Sequence, residues 1–308
     1  MSIAAIILAA GKSTRMKSQR VKVLHEICGR AMLAYVLDAV REAGAQRIVV
    51  VVGHDRERVM REFAGQPDIL WVHQQEQKGT GHAVQVCREA LTEFVGDIFV
   101  LAGDGPLIRA QTLVQMLHAH QEKRAALTLA TSVIDNPSGY GRIVRDTAGE
   151  IMAIVEEKDA TDRQRAIHEI NPSYYLFASR AFFTALDQIK PNNQKGEYYL
   201  TDTLAILRSQ GQRVTALAAV PPEDVLSINS RLELALVNRV MQRRIQATVI
   251  DSGVTLVSPE NTWIEFGAKI GEDSVLEPFT WVGTGACIAP AAHVPAGLVI
   301  VRGGRFPV

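Results

Sequence analysis

Aliphatic residues recur at every sixth position near the carboxyl end of this 308-residue chain. The series consists of Ile264, Ile270, Leu276, Val282, Ile288, Val294 and Ile300. A period of six fits neither the turn of an α-helix nor the alternation of a β-strand. It is typical of a left-handed parallel β-helix, in which three six-residue repeats close one triangular coil around stacked aliphatic side chains. An irregular β tail is the alternative. A β-helix of only two to three coils leaves much of its surface uncovered, so we expect it to associate with copies of itself.

The chain ahead of the repeats alternates β-rich runs with helical stretches. The predicted elements are strand Ala4–Leu8, helix Ala31–Ala43, strand Arg47–Val52, helix Arg56–Ala64, strand Ile69–Val72, helix Gly81–Leu91 and strand Asp97–Leu101. This order favours a mostly parallel sheet with helices on both faces and ligands at the carboxyl ends of its strands. Hairpin-like runs at Thr128–Val133 and Arg142–Val155 predict an antiparallel insertion over the ligand face. Further helices are predicted at Gly196–Gln210 and, connecting to the repeats, at Arg231–Val249.

Charge and cysteine content restrict the classes of partner. The 33 basic residues balance 33 acidic ones, so no overall field recruits nucleic acid or an anionic membrane, and any affinity for anions must be local. The three cysteines have neither metal-ligand spacing nor the pattern of a disulfide framework, which fits a reducing cytoplasm. The apolar run Ile3–Ala10 is too short to span a bilayer and lacks a basic flank, so we expect neither export nor anchoring.

A turn of small residues that carries two cations follows the first predicted strand. Residues 6–16 read Ile-Ile-Leu-Ala-Ala-Gly-Lys-Ser-Thr-Arg-Met. Backbone N–H groups in such a turn can approach a phosphate, while Lys12 and Arg15 supply the countercharge. The glycine spacing fits neither the P-loop nor the dinucleotide fingerprint. The turn predicts an enzyme that handles nucleotides, although Gly11 could also serve only to turn the chain.

Further motifs follow along the chain. Together with Leu8–Met16 they are Val21–Leu24, Gln77–Ala83, Gly103–Leu107, Gly139–Ile143, Ile154–Thr161 and Lys195–Asp202. In this order, ahead of a connecting helix and six-residue repeats, they closely resemble the bacterial bifunctional N-acetylglucosamine-1-phosphate uridylyltransferase/glucosamine-1-phosphate acetyltransferase family over nearly the whole chain. The resemblance implies an α/β, Rossmann-like nucleotidyltransferase domain with a mostly parallel sheet at residues 1–228, a connecting helix at 229–250 and a short left-handed parallel β-helix at 251–308.

The resemblance also implies a reaction. An oxygen of a sugar-1-phosphate, most simply N-acetylglucosamine-1-phosphate, attacks the α-phosphorus of UTP in line and releases pyrophosphate, with Mg²⁺ as cofactor. Such a site needs positioning and charge neutralisation more than covalent chemistry. Acetyl transfer requires a long β-helix, so we expect it to be absent from this chain. The coils are expected to pack against two sister chains as a homotrimer.

Residue roles are carried over from the family motif by motif. Arg15 would neutralise the leaving phosphates, and Lys22 would bridge the sugar phosphate and the α-phosphate. The nucleotide would contact Leu8, Ala10, Gly11, Gln74, Gly79 and Thr80, with the Gln74 amide pairing with uracil. The sugar would contact Gly141, Glu156, Asn171 and Tyr199, and Mg²⁺ would bind Asp104 and Asn229.

Several of these residues have plainer interpretations that the sequence leaves open. Lys22 could be a solvated turn lysine, Asp104 part of an Asp-Gly turn, Gln74 an exposed loop amide, and Glu156 a surface partner of Lys158. The histidines, His82 among them, show no metal-ligand spacing, and we interpret them as structural.

The chain departs from the family's pattern beside the expected sugar site. Pro172 and Ser173 follow Asn171 where the family usually has Ser or Thr and then Gly. Proline fixes φ and serine disfavours a positive φ, so we expect a different backbone there. Ala102 and Gly105 are also smaller than usual, which predicts a roomier metal region. These changes leave open another hexose-1-phosphate, a thymidine nucleotide, or a non-catalytic subunit that binds nucleotide sugars.

Overall fold

The protein, seen here as a computed structural model, is described over residues 2–11 and 14–307. Its first part contains strands β1 (Ser2–Ala9), β2 (Glu26–Ile27), β3 (Arg30–Ala31), β4 (Arg47–Val52), β5 (Ile69–His73), β6 (Gly96–Ala102), β7 (Leu127–Val133), β8 (Gly141–Arg145), β9 (Ile151–Val155), β10 (Glu169–Ala178) and β11 (Val214–Leu217). The helices are α1 (Met32–Glu42), α2 (Arg56–Glu62), α3 (Thr80–Gln85), α4 (Ala110–Glu122), α5 (Asp162–Arg165), α6 (Ser179–Leu186), α7 (Asp202–Ser209) and α8 (Arg231–Asp251). Short 3-10 turns occur at Thr14–Met16, Lys22–Leu24, Glu89–Leu91, Pro222–Val225 and Pro259–Asn261.

A nine-stranded sheet forms the centre of the α/β part. Its order is β11-β7-β10-β6-β1-β4-β5, with the pair β8 and β9 attached to β10. β1 lies between β4 and β6 and runs parallel to both. Alternate residues of β1 enter two separate apolar cores, Ala5 and Ile7 on the face of α1 and Ala4 and Ile6 on the other. The predicted mostly parallel α/β sheet, covered on both faces, is confirmed.

The predicted hairpin region is only partly correct. β8 and β9 pair as an antiparallel hairpin, and β8 also pairs with β10. Thr128–Val133, however, belongs to β7, which lies inside the main sheet between β10 and β11. Nearly every residue of β7 is buried, as a strand covered on both faces requires.

The predicted helix Gly196–Gln210 begins later than expected, at Asp202. The residues before it run alongside the loop that precedes α3 instead of coiling. Tyr198 N donates to Lys78 O at 2.8 Å, and Gly81 N donates to Tyr198 O at 2.8 Å. These hydrogen bonds satisfy backbone groups that a helix would otherwise use, and they bring the two segments together at one edge of the sheet.

The six-residue repeats form a parallel β-helix, as predicted. Its strands are β12 (Thr255–Leu256), β13 (Trp263–Ile264), β14 (Lys269–Ile270), β15 (Val275–Leu276), β16 (Trp281–Val282), β17 (Cys287–Ile288), β18 (His293–Val294), β19 (Val299–Ile300) and β20 (Arg305–Phe306). They build three parallel sheets of three strands each. Ile264 pairs in register with Val282, and Val282 with Ile300. Because these partners are three repeats apart, each coil uses three repeats, and the buried aliphatic column is the core.

Helix α8 contacts both parts of the chain. Two buried glutamines bind the backbone of the first coil: Gln242 Oε1 accepts from Ile264 N at 3.0 Å, and Gln246 Nε2 donates to Thr262 O at 2.7 Å. This packing supports, as a proposal, the division of the chain near residues 228 and 250. None of the helices in the described ranges has the length and apolar character needed to cross a bilayer.

Candidate functional site

A cavity of about 270 Å³ opens where β1 and β6 end. All six residues predicted to contact the nucleotide line this cavity: Leu8, Ala10, Gly11, Gln74, Gly79 and Thr80. Lys22, Asp104 and Glu156 line it as well. The fold therefore brings the predicted nucleotide contacts, one predicted catalytic cation, one metal ligand and one sugar contact to the same cavity, at the sheet edge where α/β folds bind ligands.

The loop before α3 forms one wall of the cavity. Gly79 has φ +104°, and a Cβ at this position would lie 2.5 Å from Tyr198 O. Leu200 N donates to Thr80 Oγ1 at 3.1 Å, which ties the same loop to the next residues along that segment. A side chain at position 79 would force the two segments apart, so glycine is required for the wall to close.

Gln74 is buried in the cavity wall, with 3% of its surface exposed, which excludes the exposed loop amide considered above. Its Nε2 donates to Gly79 O at 3.3 Å and lies 3.0 Å from His82 Nδ1. His82, interpreted from sequence as structural, contacts this cavity residue. The two residues are eight positions apart and on different elements, so no periodic pattern indicated the contact.

Lys22 carries the ammonium group of the cavity. Lys22 Nζ donates to Asn229 Oδ1 at 2.7 Å and to Asp104 Oδ2. Only 12% of the Lys22 side chain is exposed, so the solvated turn lysine is wrong. Charge-assisted hydrogen bonds of this kind compensate the loss of water around a cation and fix its position.

Asp104 and Asn229 are held together through the backbone. Ile228 N donates to Asp104 O at 3.0 Å. Asn229 N donates to Glu233 Oε2 at 2.7 Å and Asn229 Nδ2 to Ser227 Oγ at 3.3 Å, which leaves Oδ1 directed at Lys22. Two hard oxygen donors therefore converge on one cation.

This donor set fits Mg²⁺, which prefers carboxylate and amide oxygens and retains several waters. Within the described ranges, no group of three or more His, Cys, Asp or Glu side chains could hold a metal. Asp104 and Asn229 would therefore leave most coordination positions of Mg²⁺ to water and phosphate oxygens, as is usual where Mg²⁺ binds together with a nucleotide.

A buried ion cluster anchors the segment that leads to Asn229. The carboxylate of Asp224, with 1% of the residue exposed, accepts hydrogen bonds from Arg109 and Arg244. Arg109 immediately precedes α4 and Arg244 lies on α8, while Arg244 also donates to Leu107 O at 2.9 Å. The cluster joins the loop after Asp104 to the helix that follows Asn229.

A second cavity of about 230 Å³ adjoins the first, with Glu156 and Thr201 lining both. Tyr199 lines this second cavity and not the first. Burial raises the pKa of the Glu156 carboxyl, while a hydrogen bond from the Thr201 hydroxyl at 3.5 Å opposes the shift. Among the described residues the cation that acts on the Glu156 carboxyl is Lys195 and not Lys158, so the surface pairing with Lys158 considered above is wrong.

Gly141 and Asn171 lie next to the residues that separate the two cavities. They face each other in register across β8 and β10. A Cβ on Gly141 would come within 3.7 Å of the carboxylate oxygens of Glu156. Asn171 Nδ2 donates to the hydroxyl of Tyr175 at 2.6 Å, and it is Tyr175 that lines the first cavity. Gly141 and Tyr199 thus lie near Glu156, while Asn171 is behind Tyr175 and does not line the first cavity.

The backbone expectation at Ser173 is wrong. Ser173 adopts φ +67° although it is not glycine. Ser173 N donates to Asn171 Oδ1 at 3.0 Å, and the pairing of β10 with β7 is irregular between Ile170 and Tyr174. The asparagine side chain stabilises the turn locally, which offsets the strain of a positive φ at serine.

Arg15 is exposed and is not among the residues that line the cavity. Lys12 lies outside the described residues. The polar cavity residues that had no predicted role are Gln77, Ser173, Tyr175 and Thr201. Gln77 and Thr201 belong to motifs that sequence analysis had singled out, and the other two follow Asn171 closely. The motifs therefore located these segments without identifying each side chain.

Comparisons with known proteins agree with this geometry. The family model described as the MobA-like NTP transferase domain matches residues 5–214. The bifunctional protein GlmU of Geotalea daltonii is 42% identical over 97% of this chain and 65% of its own length. Its counterpart in Heliobacterium modesticaldum is 44% identical over 94% of this chain and 64% of its own length. The chain thus spans slightly less than two thirds of these curated relatives, and the resemblance found by motif is confirmed.

A solved structure supports the fold alone. A crystal structure of UDP-glucose pyrophosphorylase complexed with UDP-glucose aligns with a TM-score of 0.64 and 17% identity. The alignment covers 79% of this chain and all of that one. At this identity the likeness extends to the arrangement of the sheet and helices and not to individual side chains.

Proposed function

Because the chain belongs to the family of MobA-like NTP transferase domains, we propose that it is a sugar-1-phosphate nucleotidylyltransferase. Its substrates are UTP and N-acetylglucosamine-1-phosphate, and its products are UDP-N-acetylglucosamine and pyrophosphate. One observation carries the proposal: the Lys22 ammonium, bound to Asp104 and Asn229, shares a single cavity with the buried amide of Gln74. A cation for phosphate and an amide for a base then lie within one binding site.

Lys22 acts on the reacting phosphates. Its ammonium binds oxygens of the sugar phosphate and of the α-phosphate, where negative charge accumulates as the new bond forms. Asp104 and Asn229 hold this ammonium inside the cavity before the substrates arrive. Arg15, exposed near the end of the turn, binds the β- and γ-phosphates that leave as pyrophosphate.

Mg²⁺ is held in this proposal by Asp104 and Asn229, the two residues whose oxygens converge on one cation. When bound, the ion neutralises phosphate charge and helps to orient the triphosphate. With the ion on Asp104 and Asn229, Lys22 gives up one or both of these partners and binds oxygens of the substrate phosphates instead.

Glu156 and its neighbours bind the sugar. A carboxylate at this position accepts hydrogen bonds from a sugar hydroxyl or from the N–H of an acetamido group. Burial raises the pKa of Tyr199 to about 12, so its phenol keeps its proton and can donate to a sugar oxygen. The positive φ of Ser173 weakens the backbone argument for a different sugar.

A substrate panel tests the proposed function. Purified protein is mixed with UTP, dTTP or CTP, with N-acetylglucosamine-1-phosphate, glucose-1-phosphate or galactose-1-phosphate, and with Mg²⁺, while pyrophosphate release is followed. We expect the highest kcat/KM for UTP with N-acetylglucosamine-1-phosphate. A better pair of other substrates would contradict the sugar or base assignment, and no release from any pair would support a non-catalytic subunit.

A further inference from the structure

Two acceptors surround the NH₂ group of the Gln74 amide. One terminal atom of this amide lies 3.3 Å from Gly79 O and 3.0 Å from His82 Nδ1. A backbone carbonyl only accepts hydrogen bonds, so the amide atom that faces it must be the nitrogen. The same NH₂ group then faces His82, whose Nδ1 must accept and therefore carries no proton. The neighbours of the amide thus determine its orientation and the tautomer of the imidazole.

This orientation decides what Gln74 offers to a ligand. With both amide hydrogens directed at protein acceptors, only Oε1 remains to meet a base, and it can only accept. Uracil presents an N–H at ring position 3, whereas cytosine presents a lone pair there. An acceptor opposite that position binds uracil and repels cytosine, because the cytosine lone pair would face an oxygen.

We infer that His82 is a positioning residue that strengthens the selectivity of this cavity for uracil over cytosine, because its Nδ1 restrains the Gln74 amide in the orientation that Gly79 O sets. The inference rests on the proposed function, since it concerns the base of the same nucleotide substrate. The contact with His82 is the shorter of the two, and 3.3 Å to Gly79 O is beyond the usual length of an N–H···O hydrogen bond. Gly79 O therefore sets which end of the amide faces the protein, and the shorter contact with His82 restrains the amide in that orientation.

Two substitutions at His82 separate this role from a packing role. His82→Leu replaces the imidazole with an apolar side chain of similar size and removes the acceptor. His82→Asn keeps a side-chain oxygen near the position of Nδ1. We measure kcat and KM for UTP and CTP with N-acetylglucosamine-1-phosphate, and the Kd of each nucleotide by calorimetry in the absence of sugar phosphate.

We expect His82→Leu to lower the preference for UTP over CTP by about tenfold, the size expected when one hydrogen bond in a specificity contact is lost. The change should appear as a higher KM and Kd for UTP, with kcat altered less than about twofold, because the amide contacts the base and not the reacting phosphates. His82→Asn should recover most of the preference.

Three results would overturn the inference: an unchanged preference in a folded His82→Leu protein, an equal loss for both nucleotides in the two variants, or no preference for UTP over CTP in wild-type binding. If the wild type binds UTP selectively but releases no pyrophosphate, the proposed function fails, while the binding ratios still decide the role of His82. Thermal melting curves of both variants verify that each is folded.

Discussion

Lys22 and Asp104 lie 82 positions apart in the chain and form an ion pair inside the main cavity. The lysine follows β1 and the aspartate follows β6, and because these neighbouring strands are parallel, both side chains arrive at the same edge of the sheet. Asn229 completes the arrangement from the segment that precedes α8. The predicted chemistry therefore depends on three distant parts of the chain meeting at one cation.

Replacement of Lys22 tests its electrostatic role. We expect Lys22→Ala to reduce kcat by at least about a hundredfold, the effect of losing one electrostatic element of a transition state. Lys22→Arg keeps the charge but replaces a compact ammonium with a planar guanidinium, so it should recover only part of the activity. Steady-state kinetics of pyrophosphate release measures both. Wild-type turnover in Lys22→Ala would reject the assignment.

Removal of the metal or its carboxylate ligand should have matching effects. We expect chelation of Mg²⁺ to abolish turnover, because the charge of the phosphates is then no longer neutralised. Added Mg²⁺ should restore the turnover. Asp104→Ala should lower kcat by at least about a hundredfold and raise the Mg²⁺ concentration needed for half-maximal rate. Asp187→Asn, at an exposed carboxylate that does not line the cavity, serves as the control. A normal Mg²⁺ dependence in Asp104→Ala would contradict the proposed site.

Asp224 should be important for stability. Its carboxylate is buried between Arg109 and Arg244, so Asp224→Asn removes the buried counterion that both guanidinium groups share and leaves Arg109 only the exposed Glu223. We expect a loss of about 3 kcal/mol in the free energy of unfolding, as for other broken buried pairs. Glu223→Gln is the matched control, because Glu223 is an exposed partner of the same Arg109 and should contribute under about 1 kcal/mol. Denaturant unfolding of the two variants compares them, and equal losses would argue against the buried cluster.

Replacement of Glu156 should have opposite effects on sugar binding and on stability. Burial raises its pKa in the folded state, so the folded protein holds this proton more tightly than the unfolded chain does. Stability from this group is therefore present at low pH and is lost as the pH rises through the raised pKa. We expect Glu156→Gln to leave stability at neutral pH unchanged or higher and to raise the KM for the sugar phosphate about tenfold.

Thermal melts across pH and sugar-phosphate kinetics check the two halves of this prediction. The wild type should lose stability relative to Glu156→Gln as pH rises, and the two curves should converge at low pH. A Glu156→Gln protein that is less stable at neutral pH, with unchanged KM, would mean that the carboxylate is only structural.

The coils should mediate self-association. Trp281 and Val299 are exposed along one sheet of the β-helix, and Trp281 stacks on Trp263 with ring centroids 5.3 Å apart. An apolar strip of this kind is typical of an interface between copies of a chain. We propose a homotrimer, for which light scattering should give three times the 33.7 kDa mass of the chain. Particles of 33.7 kDa alone would contradict it.

The parts of the fold that depend on local periodicity could be predicted from the sequence. The six-residue period of the β-helix and the alternation from β1 to β6 are visible in single stretches of chain. The late start of α7 could not be foreseen, because residues near Tyr198 bind a loop more than a hundred positions earlier. Tertiary hydrogen bonds overrode a helical pattern there.

Residues of the site could be predicted only through their resemblance to the family. Lys22, Asp104 and Asn229 were identified by family resemblance and not by spacing, and the structure brings all three into contact. The contact between His82 and Gln74 could not be predicted, because it depends on how a loop residue and a helix residue meet in the fold. The backbone at Ser173 was predicted wrongly, because a hydrogen bond from Ser173 N to the Asn171 side chain compensates the disfavoured positive φ.

The most direct test is a crystal structure of the protein with UDP-N-acetylglucosamine and Mg²⁺. We expect the uracil against Gln74, the phosphates beside Lys22, the metal on Asp104 and Asn229, and the sugar against Glu156. A nucleotide sugar bound elsewhere, or bound in this cavity with its phosphates away from Lys22 and Asp104, would contradict the account.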